Sequence, residues 1–333
     1  MPKPIFINKK IEPFEKKIVV SGDKSLSIRW ALLASQALGK SRAYNLLKSE
    51  DVLNTLKCLK KLGVKIITKK RYTEIVGNGL NSFNFKKNII LNAGNSGTLG
   101  RLILALLIRS PYKIKMIGDD SLKKRDFSRV INPLKEFGAN FYPLKRSKLP
   151  INILGSDFIR PINYFENKGS AQCKSSVIFG SMRTSGTTLI KSKKSRNHTE
   201  LLYKYLGLPI KIKKNKNFDE IKINKVKLIK PINYIIPSDI SSSAFFIVLT
   251  ALSKGSELLI KNVNINPTRI GIITILNRMG ITIKKKNKRT YKGEAIADLK
   301  IKSAKSIRSI NCPTKLNSSA IDEFLIIFLV AAK

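Results

Sequence analysis

Small polar clusters stand at the starts of apolar, helix-like segments. They are Asp23-Lys24-Ser25, Asn95-Ser96-Gly97-Thr98, Ser170-Ala171-Gln172 and Ser238-Asp239. A helix N-terminus presents unpaired N–H groups and the positive end of the helix dipole, so it attracts anions. Ser, Asp and Asn are also ordinary helix caps, and capping alone explains any one cluster. The clusters taken together indicate more, because each carries additional binding groups.

Charged and flexible residues accompany these clusters. The candidates are the cations Lys24, Arg29, Arg101, Lys124 and Arg125, the close-approach residue Gly97, and the acids Asp322 and Glu323. Lys24 and Arg29 fall on one helix face, and glycine lets a ligand approach the backbone closely. Cations, a tight glycine, neutral donors and a carboxylate suit a substrate that carries phosphate and carboxylate groups and undergoes proton transfer.

A repeated pattern positions these groups. It is written four times and begins a fifth time, and each complete copy ends in an apolar-Gly-x-x-apolar signal at Gly63, Gly138, Gly207 or Gly280. Glycine there suits the left-handed position that follows a helix. Apolar spacing predicts helices at 27–38 (with Gly39 as its stop), 51–62, 97–108, 129–137, 174–182, 199–206, 241–252 and 269–279. The predicted fold class is α/β, built of repeated βαβαββ units.

Composition limits the function classes. The 333 residues suggest about two domains, and 64 Lys+Arg against 21 Asp+Glu give a net charge of +43. Such a charge raises the alternative of a basic nucleic-acid-binding protein. The lysines are spread over every segment, however, so we expect small anionic substrates and no nucleic-acid or membrane partner. Three cysteines without a CxxC pair fit a reducing cytosol, and we expect a cytoplasmic monomer.

The residues also resemble, in order and along essentially the whole chain, the motifs of the 5-enolpyruvylshikimate-3-phosphate synthase family. The matching segments are Ser21–Arg29, Gly94–Thr98 with Arg101, Lys124-Arg125, Ser170–Ser175, Ser195–Glu200, Pro237–Ala244 and Ile321–Glu323. The resemblance implies a two-domain inverted α/β fold with the active site in the cleft between the domains. The first domain would comprise residues 1–20 and 237–333. The second would comprise the three repeat units of residues 21–236, with crossings near Ser21 and Ile236.

The resemblance also implies an activity and residue roles. The family transfers the enolpyruvyl group of phosphoenolpyruvate to the 5-hydroxyl of shikimate 3-phosphate, through a tetrahedral intermediate and without metal or organic cofactor. Shikimate 3-phosphate would bind Lys24, Ser25, Arg29, Ser170, Gln172 and Asp322, with Arg196 as an addition. Phosphoenolpyruvate would bind Lys24, Gly97, Arg125 and Gln172. Asp322 would be the general base, and Lys24, among other cations, would help to move protons. We expect Glu323, Asp239 and Ser241 to act as caps and His198 to be structural.

Two departures from the family pattern affect these expectations. Asp126 stands where the family usually has proline, which puts a carboxylate beside a phosphoenolpyruvate ligand. The family also continues beyond residue 333. We therefore expect an incomplete first domain, an exposed apolar face on the helix at 324–332, and no activity from this chain alone. The alternatives are an inactive fragment, the enolpyruvyl transferase acting on UDP-N-acetylglucosamine, and the nucleic-acid-binding protein. Gly97 further predicts that the full-length enzyme is open to glyphosate.

Overall fold

Helices and strands alternate along the chain in a computed structural model, which describes residue 6 and residues 8–333. The helices are α1 (Lys24–Ala34), α2 (Glu50–Lys61), α3 (Gly97–Ala105), α4 (Asp120–Lys124), α5 (Ser128–Phe137), α6 (Ala171–Ser181), α7 (His198–Tyr205), α8 (Ile240–Leu252), α9 (Gly271–Arg278), α10 (Asn317–Ala320) and α11 (Phe324–Ala331). A single 3₁₀ turn described in the chain covers Thr314–Leu316.

The strands are short and follow the same alternation. They are β1 (Glu15–Ile18), β2 (Leu38–Tyr44), β3 (Lys65–Thr68), β4 (Tyr72–Asn78), β5 (Ile90–Asn92), β6 (Ile114–Ile117), β7 (Asn140–Tyr142), β8 (Ile151–Leu154), β9 (Asn163–Glu166), β10 (Thr188–Lys193), β11 (Ile210–Lys214), β12 (Phe218–Ile223), β13 (Tyr234–Ile235), β14 (Glu257–Asn264), β15 (Ile283–Tyr291) and β16 (Glu294–Lys302). The mixed α/β class predicted from the sequence is confirmed.

The described residues form two compact units. Unit 1 contains Ser238–Thr290, Ala295–Lys333 and the described residues up to Val20. Unit 2 contains Ser21–Pro237 and the short segment Tyr291–Glu294, which lies at the turn between β15 and β16. No sequence pattern indicated that this turn belongs to unit 2. The assignment of two domains with crossings near Ser21 and Ile236 stays a prediction.

One topology accounts for all four sheets. In unit 2 the strand orders are β13-β2-β4-β3, β5-β6-β8-β7 and β9-β10-β12-β11, and in unit 1 the order is β1-β14-β16-β15. In each sheet the first pair is parallel and the following pairs are antiparallel, as in β5-β6 followed by β6-β8 and β8-β7. The fourfold repeat of the sequence therefore corresponds to a repeated sheet. Strand β13 lies far along the chain but pairs in parallel with β2, and so completes the sheet of the first repeat.

Helix ends follow the local signals in the sequence. The side chains of Asp23, Ser96 and Ser170 accept hydrogen bonds from backbone N–H groups in the first turns of α1, α3 and α6. These three helices are almost completely buried, and α6 packs against α3 and α7. After α2 the chain turns at Gly63 with a φ of +83°, a left-handed conformation that favours glycine. Caps and glycines thus fix where the buried helices start and where the outer helices stop.

One predicted helix boundary is wrong, and the exposed face expected on another helix is present. The first helix ends at Ala34 rather than near Gly39, because Leu38 to Tyr44 pair with β4 and sheet pairing overrides the local helical pattern. The final helix α11 is apolar throughout and buries only Ile327 and Val330, whereas Leu325 is 86% exposed. An exposed apolar face on this helix was expected from the sequence.

Candidate active site

The N-terminus of α1 carries three of the predicted substrate-binding residues. Asp23 caps the helix by accepting a hydrogen bond from the Leu26 N–H at 2.9 Å. Lys24 follows with its side chain half exposed, and its Nζ lies 3.9 Å from the Asp51 carboxylate. The surroundings of Lys24 are therefore not purely cationic, in contrast to the expectation from the sequence. Ser25 is partly buried, and its carbonyl accepts a hydrogen bond from Arg29.

Arg29 lies beneath this N-terminus and is only 3% exposed. Burial lowers the pKa of its guanidinium to about 10, the nearby charge of Arg196 adds to this effect, and the charges of Glu200 and Asp23 oppose it. The guanidinium stays protonated at neutral pH. Arg29 and Arg196 thus concentrate positive charge at one end of α1, as the binding of an anionic ligand requires.

The N-terminus of α3 brings Gly97 against two arginines. A Cβ atom at Gly97 would lie 2.8 Å from Arg101 Nη1 and 3.2 Å from Arg125 Nη1. Any side chain at this position would therefore displace a guanidinium group. Arg125 is exposed, and its Nη2 donates to Asn95 Oδ1 at 3.4 Å. Glycine at position 97 leaves both guanidinium groups close to the helix N-terminus.

Arg101 connects α3 to α6. Its Nη1 donates to Gln172 Oε1 at 2.7 Å, and Gln172 Nε2 donates in turn to Thr98 Oγ1 at 2.9 Å. The guanidinium lies over the Phe127 ring, with 4.9 Å to the centroid. Burial, followed by the charges of Arg125 and Arg129, lowers the pKa of Arg101. Thr98 and Arg101 therefore hold Gln172 in place, a role that the sequence motifs did not indicate.

The loop before α6 is organised by a buried acid. Glu166 is 2% exposed, forms an ion pair with Arg129, and accepts a hydrogen bond from the Ser170 N–H at 2.6 Å. Ser170 Oγ caps α6 by accepting from the Cys173 N–H at 3.3 Å. The hydroxyl can still donate one hydrogen bond to a ligand. Nothing in the sequence pattern distinguished Glu166 from a surface acid.

Asp126 interacts with Arg101 as well as with Ser128: its charge opposes the lowering of the Arg101 pKa, and its backbone carbonyl accepts a hydrogen bond from Arg101 Nη2 at 3.3 Å. The Asp126 carboxylate accepts hydrogen bonds from the backbone N–H of Ser128 at 3.0 Å and from the Ser128 hydroxyl. Partial burial tends to raise the pKa of Asp126, but these hydrogen bonds outweigh it and the pKa is lowered. The side chain thus forms hydrogen bonds at the start of α5. That a carboxylate at this position weakens phosphoenolpyruvate binding stays a prediction.

In unit 1, Asp322 belongs to an acidic cluster around one arginine. Arg269 is 4% exposed, and its Nη2 lies 4.0 Å from Asp322, 3.9 Å from Glu323 and 3.7 Å from Asp239. The Ser241 hydroxyl accepts from Arg269 at 2.7 Å and donates to Glu323. Asp322 is the exposed member of the cluster, with 45% of its side chain accessible.

The cluster changes two predicted roles. Asp239 caps α8 as expected, accepting from the Ser241 N–H at 2.7 Å. Ser241 is not a cap, because it lies inside α8 and its hydroxyl bonds to Arg269 and Glu323. Glu323 makes no capping hydrogen bond to α11 and is buried against Ser241. Arg269, which no motif indicated, is the centre of this group.

The cations at the helix N-termini of unit 2 can bind anions, and the acidic cluster of unit 1 carries a carboxylate that can accept a proton. Of the predicted site residues, unit 2 contains all but one: Lys24, Ser25, Arg29, Gly97, Arg125, Ser170 and Gln172. Asp322 lies in unit 1. Within residue 6 and residues 8–333, no three His, Cys, Asp or Glu side chains are grouped as a metal site requires. In the same part of the chain no helix has the length and apolar character needed to cross a membrane.

Repeated four-stranded sheets with arginines gathered at buried helix N-termini are the architecture of an enolpyruvyl transferase. Solved structures support this class: EPSP synthase from Acinetobacter baumannii superposes with a TM-score of 0.87 and 34% identity, covering 96% of this chain and 72% of that one. A second structure of the Acinetobacter baumannii enzyme gives a TM-score of 0.86 over the same shares.

Sequence comparisons identify the family. Residues 8–332 match the family described as EPSP synthase (3-phosphoshikimate 1-carboxyvinyltransferase). The 3-phosphoshikimate 1-carboxyvinyltransferase of Petrotoga mobilis is 37% identical over 328 residues, covering 97% of this chain and 74% of the relative. That of Vesicomyosocius okutanii is 40% identical over 315 residues, covering 94% and 71%. The chain belongs to the EPSP synthase family. It is a transferase of the shikimate pathway, moving the enolpyruvyl group of phosphoenolpyruvate to the 5-hydroxyl of shikimate 3-phosphate.

Proposed function

We propose that the predicted site residues carry out this transfer. Shikimate 3-phosphate is held by Lys24, Ser25, Arg29, Ser170, Gln172 and Asp322. Phosphoenolpyruvate is held by Lys24, Gly97, Arg125 and Gln172. The observation that carries the proposal is the crowding of guanidinium groups at the N-terminus of α3, where Arg101 and Arg125 lie beside Gly97 and their like charges repel. An anionic ligand relieves that repulsion and gains charge-assisted hydrogen bonds.

Asp322 acts as the general base in this proposal. Its carboxylate takes the proton of the 5-hydroxyl as the hydroxyl oxygen bonds to C2 of phosphoenolpyruvate, while C3 gains a proton. Elimination then breaks the bond between C2 and the phosphate oxygen, phosphate leaves, and C3 loses a proton. Arg269 Nη2 lies 4.0 Å from the Asp322 carboxylate and helps to position it. The exposure of Asp322, unlike that of buried Glu323, suits a group that must meet substrate.

The compartment and assembly state are also proposals. Cys58, Cys173 and Cys312 are all free thiols, which suits a reducing compartment such as the cytoplasm. We propose that the chain works there as a monomer. Light scattering at several concentrations tests the assembly state, and a mass well above 37.4 kDa would contradict it.

Phosphate release that depends on shikimate 3-phosphate tests the catalytic assignment. We expect Asp322→Asn to lower kcat by about 10²–10⁴-fold, the usual contribution of a general base. Asp157→Asn, which neutralises an exposed acid of unit 2, serves as the matched control and keeps the wild-type kcat. Full turnover by Asp322→Asn would show that another group is the base. Release that depends on shikimate 3-phosphate from the wild-type chain would contradict the expectation from the sequence that this chain alone is inactive, and its absence would contradict the proposed activity.

A further inference from the structure

Arg29 is oriented by two hydroxyl groups from two other helices. Its Nε donates to Thr199 Oγ1 at 2.8 Å, and its Nη2 donates to Ser175 Oγ at 3.1 Å. The two hydroxyls are also 2.7 Å apart and share a hydrogen bond. Ser175 and Thr199, called the hydroxyl pair below, therefore occupy one complete edge of the guanidinium. Three helices, α1, α6 and α7, meet at this point.

The hydroxyl pair leaves the opposite edge of Arg29 available. A guanidinium has five N–H donors. Nε and Nη2 each use one on the hydroxyl pair, and Nη1 uses one on the Ser25 carbonyl at 3.1 Å. Across residues 8–333 the remaining two N–H groups, one on each terminal nitrogen, have no hydrogen-bond partner. Two such N–H groups side by side match the two oxygens of a carboxylate or phosphate.

The partners of Arg29 are neutral, although acids lie close by. Glu200 is adjacent to Thr199 in the chain, but its carboxylate pairs with Lys174 at 2.6 Å instead of Arg29. Both side chains of that pair are buried, at 0% and 4% exposure, and Lys174 directly precedes Ser175. The Lys174–Glu200 pair thus joins α6 to α7 at the level of the hydroxyl pair. Lys174 pairs with one oxygen of this carboxylate, and the direct partners of the Arg29 side chain are the two hydroxyls and the Ser25 carbonyl, which carry no charge.

We propose that Ser175 and Thr199 are positioning residues that aim the free edge of Arg29 at an anionic oxygen group of shikimate 3-phosphate. The inference rests on the proposed function, in which Arg29 binds this substrate. A carboxylate in place of the pair would hold the guanidinium equally well but would cancel its charge. The hydroxyls instead keep a buried cation both rigid and unneutralised, so the ligand supplies the missing anion. This arrangement favours shikimate 3-phosphate over uncharged analogues of it.

Calorimetric titration with shikimate 3-phosphate tests the proposal and does not depend on turnover. We expect the double variant Ser175→Ala/Thr199→Val to bind about tenfold more weakly than wild type, because Arg29 loses the two acceptors that fix it. Thr199→Ser keeps the acceptor and should bind within about twofold of wild type. Ser181→Ala is the matched control: Ser181 is a buried α6 serine whose hydroxyl donates to the Ile178 carbonyl at 2.8 Å, away from Arg29. Its affinity should be unchanged.

A second variant separates orientation from simple packing. Ser175→Asp offers Arg29 a stronger acceptor, so a purely structural role for Ser175 predicts normal or tighter binding. Our proposal predicts weaker binding than for Ser175→Ala, because the new carboxylate neutralises Arg29. Arg29→Met shows whether the role of Arg29 in substrate binding or the positioning role of the hydroxyl pair is wrong. If Arg29→Met binds normally, Arg29 does not hold this substrate and the proposed function is wrong at this residue. If Arg29→Met binds weakly while the double variant binds normally, only the positioning role is overturned.

Discussion

Replacing Gly97 with alanine should weaken phosphoenolpyruvate binding more than it weakens shikimate 3-phosphate binding. The added Cβ would lie 2.8 Å from Arg101 Nη1, whereas ordinary contacts begin at 3.4 Å. Arg101 must therefore move by about 0.6 Å. Its 2.7 Å hydrogen bond to Gln172 stretches or breaks, and Arg125, 3.2 Å from the same Cβ, also shifts. The side-chain ends are flexible, so the chain should still fold.

The expected size of the effect follows from that one hydrogen bond. A hydrogen bond to a charged group contributes about 1.5–3 kcal/mol, so partial loss should cost about 1.5 kcal/mol, or roughly tenfold in the KM for phosphoenolpyruvate. The affinity for shikimate 3-phosphate, measured by calorimetry, should fall by about threefold at most. Gln172 is shared by both substrates, but the other proposed ligands of shikimate 3-phosphate, such as Arg29 on α1, are not displaced. Inhibition by glyphosate, which we expect to depend on the room that glycine leaves, should weaken in parallel.

Gly100→Ala is the matched control on the same helix. A Cβ at Gly100 would touch no arginine directly: it would meet the Phe127 ring at 3.3 Å and Ala93 at 3.6 Å. The Arg101 guanidinium lies over that ring, but a 3.3 Å contact is only about 0.1 Å short of ordinary contact, so the ring moves far less than Arg101 does in Gly97→Ala. The KM for phosphoenolpyruvate should therefore remain near the wild-type value in this variant. An unchanged KM in Gly97→Ala, or an equal rise in both variants, would refute the reasoning.

Two further predictions concern buried groups. Lys174→Met should lower the free energy of unfolding in urea by about 3–5 kcal/mol, because it leaves the Glu200 carboxylate buried without its cation. Lys174→Met combined with Glu200→Leu should recover most of that loss, and a double variant as unstable as the single one would contradict the pairing. Burial raises the pKa of the Cys58 thiol to about 11, so iodoacetamide at about pH 8 should alkylate exposed Cys312 and spare Cys58 in the folded chain. Modification of Cys58 before unfolding would contradict this expectation.

The sequence predicted the repeat and the helix ends well, because both depend on local chemistry. Asp23 and Asp239 are caps, and Gly63 adopts the left-handed conformation that its place in the pattern indicated. The end of α1 was wrong for a non-local reason. Residues from Leu38 onward pair with β4, from Leu38 with Asn78 to Tyr44 with Tyr72, and no local window contains partners so far along the chain.

The site was predicted only partly, because many of its contacts also join residues that are far apart in the chain. Motif residues such as Lys24 and Gln172 could be found from the family pattern, but the residues that hold the site's side chains and loops in place could not. Arg269 contacts Ser241, 28 positions away, and Glu166 contacts Arg129, 37 positions away. Contacts over such distances in the chain cannot be predicted from a local sequence pattern. Ser175 was visible only as part of a motif, and its hydroxyl gained significance when α1 and α7 were seen to meet it.

The surface against which the turn between β15 and β16 packs could not be predicted from the sequence. The residues of the turn belong to unit 2, where the Tyr291 ring stacks on Tyr234 at 5.7 Å and Glu294 Oε1 lies 2.7 Å from His198 Nδ1. This contact supports the prediction that His198 is structural. A hairpin turn pattern fixes the strand connection but says nothing about the surface on which the turn packs.

A crystal structure of the chain with shikimate 3-phosphate tests the central claim most directly. The claim is that the buried helix N-termini of unit 2 bind the anionic substrate through their cations. The account predicts density for the ligand against Ser25, Arg29 and Ser170, with an anionic oxygen group on the terminal nitrogens of Arg29. Ligand density elsewhere, with the Arg29 edge still without an anionic partner, would contradict the claim.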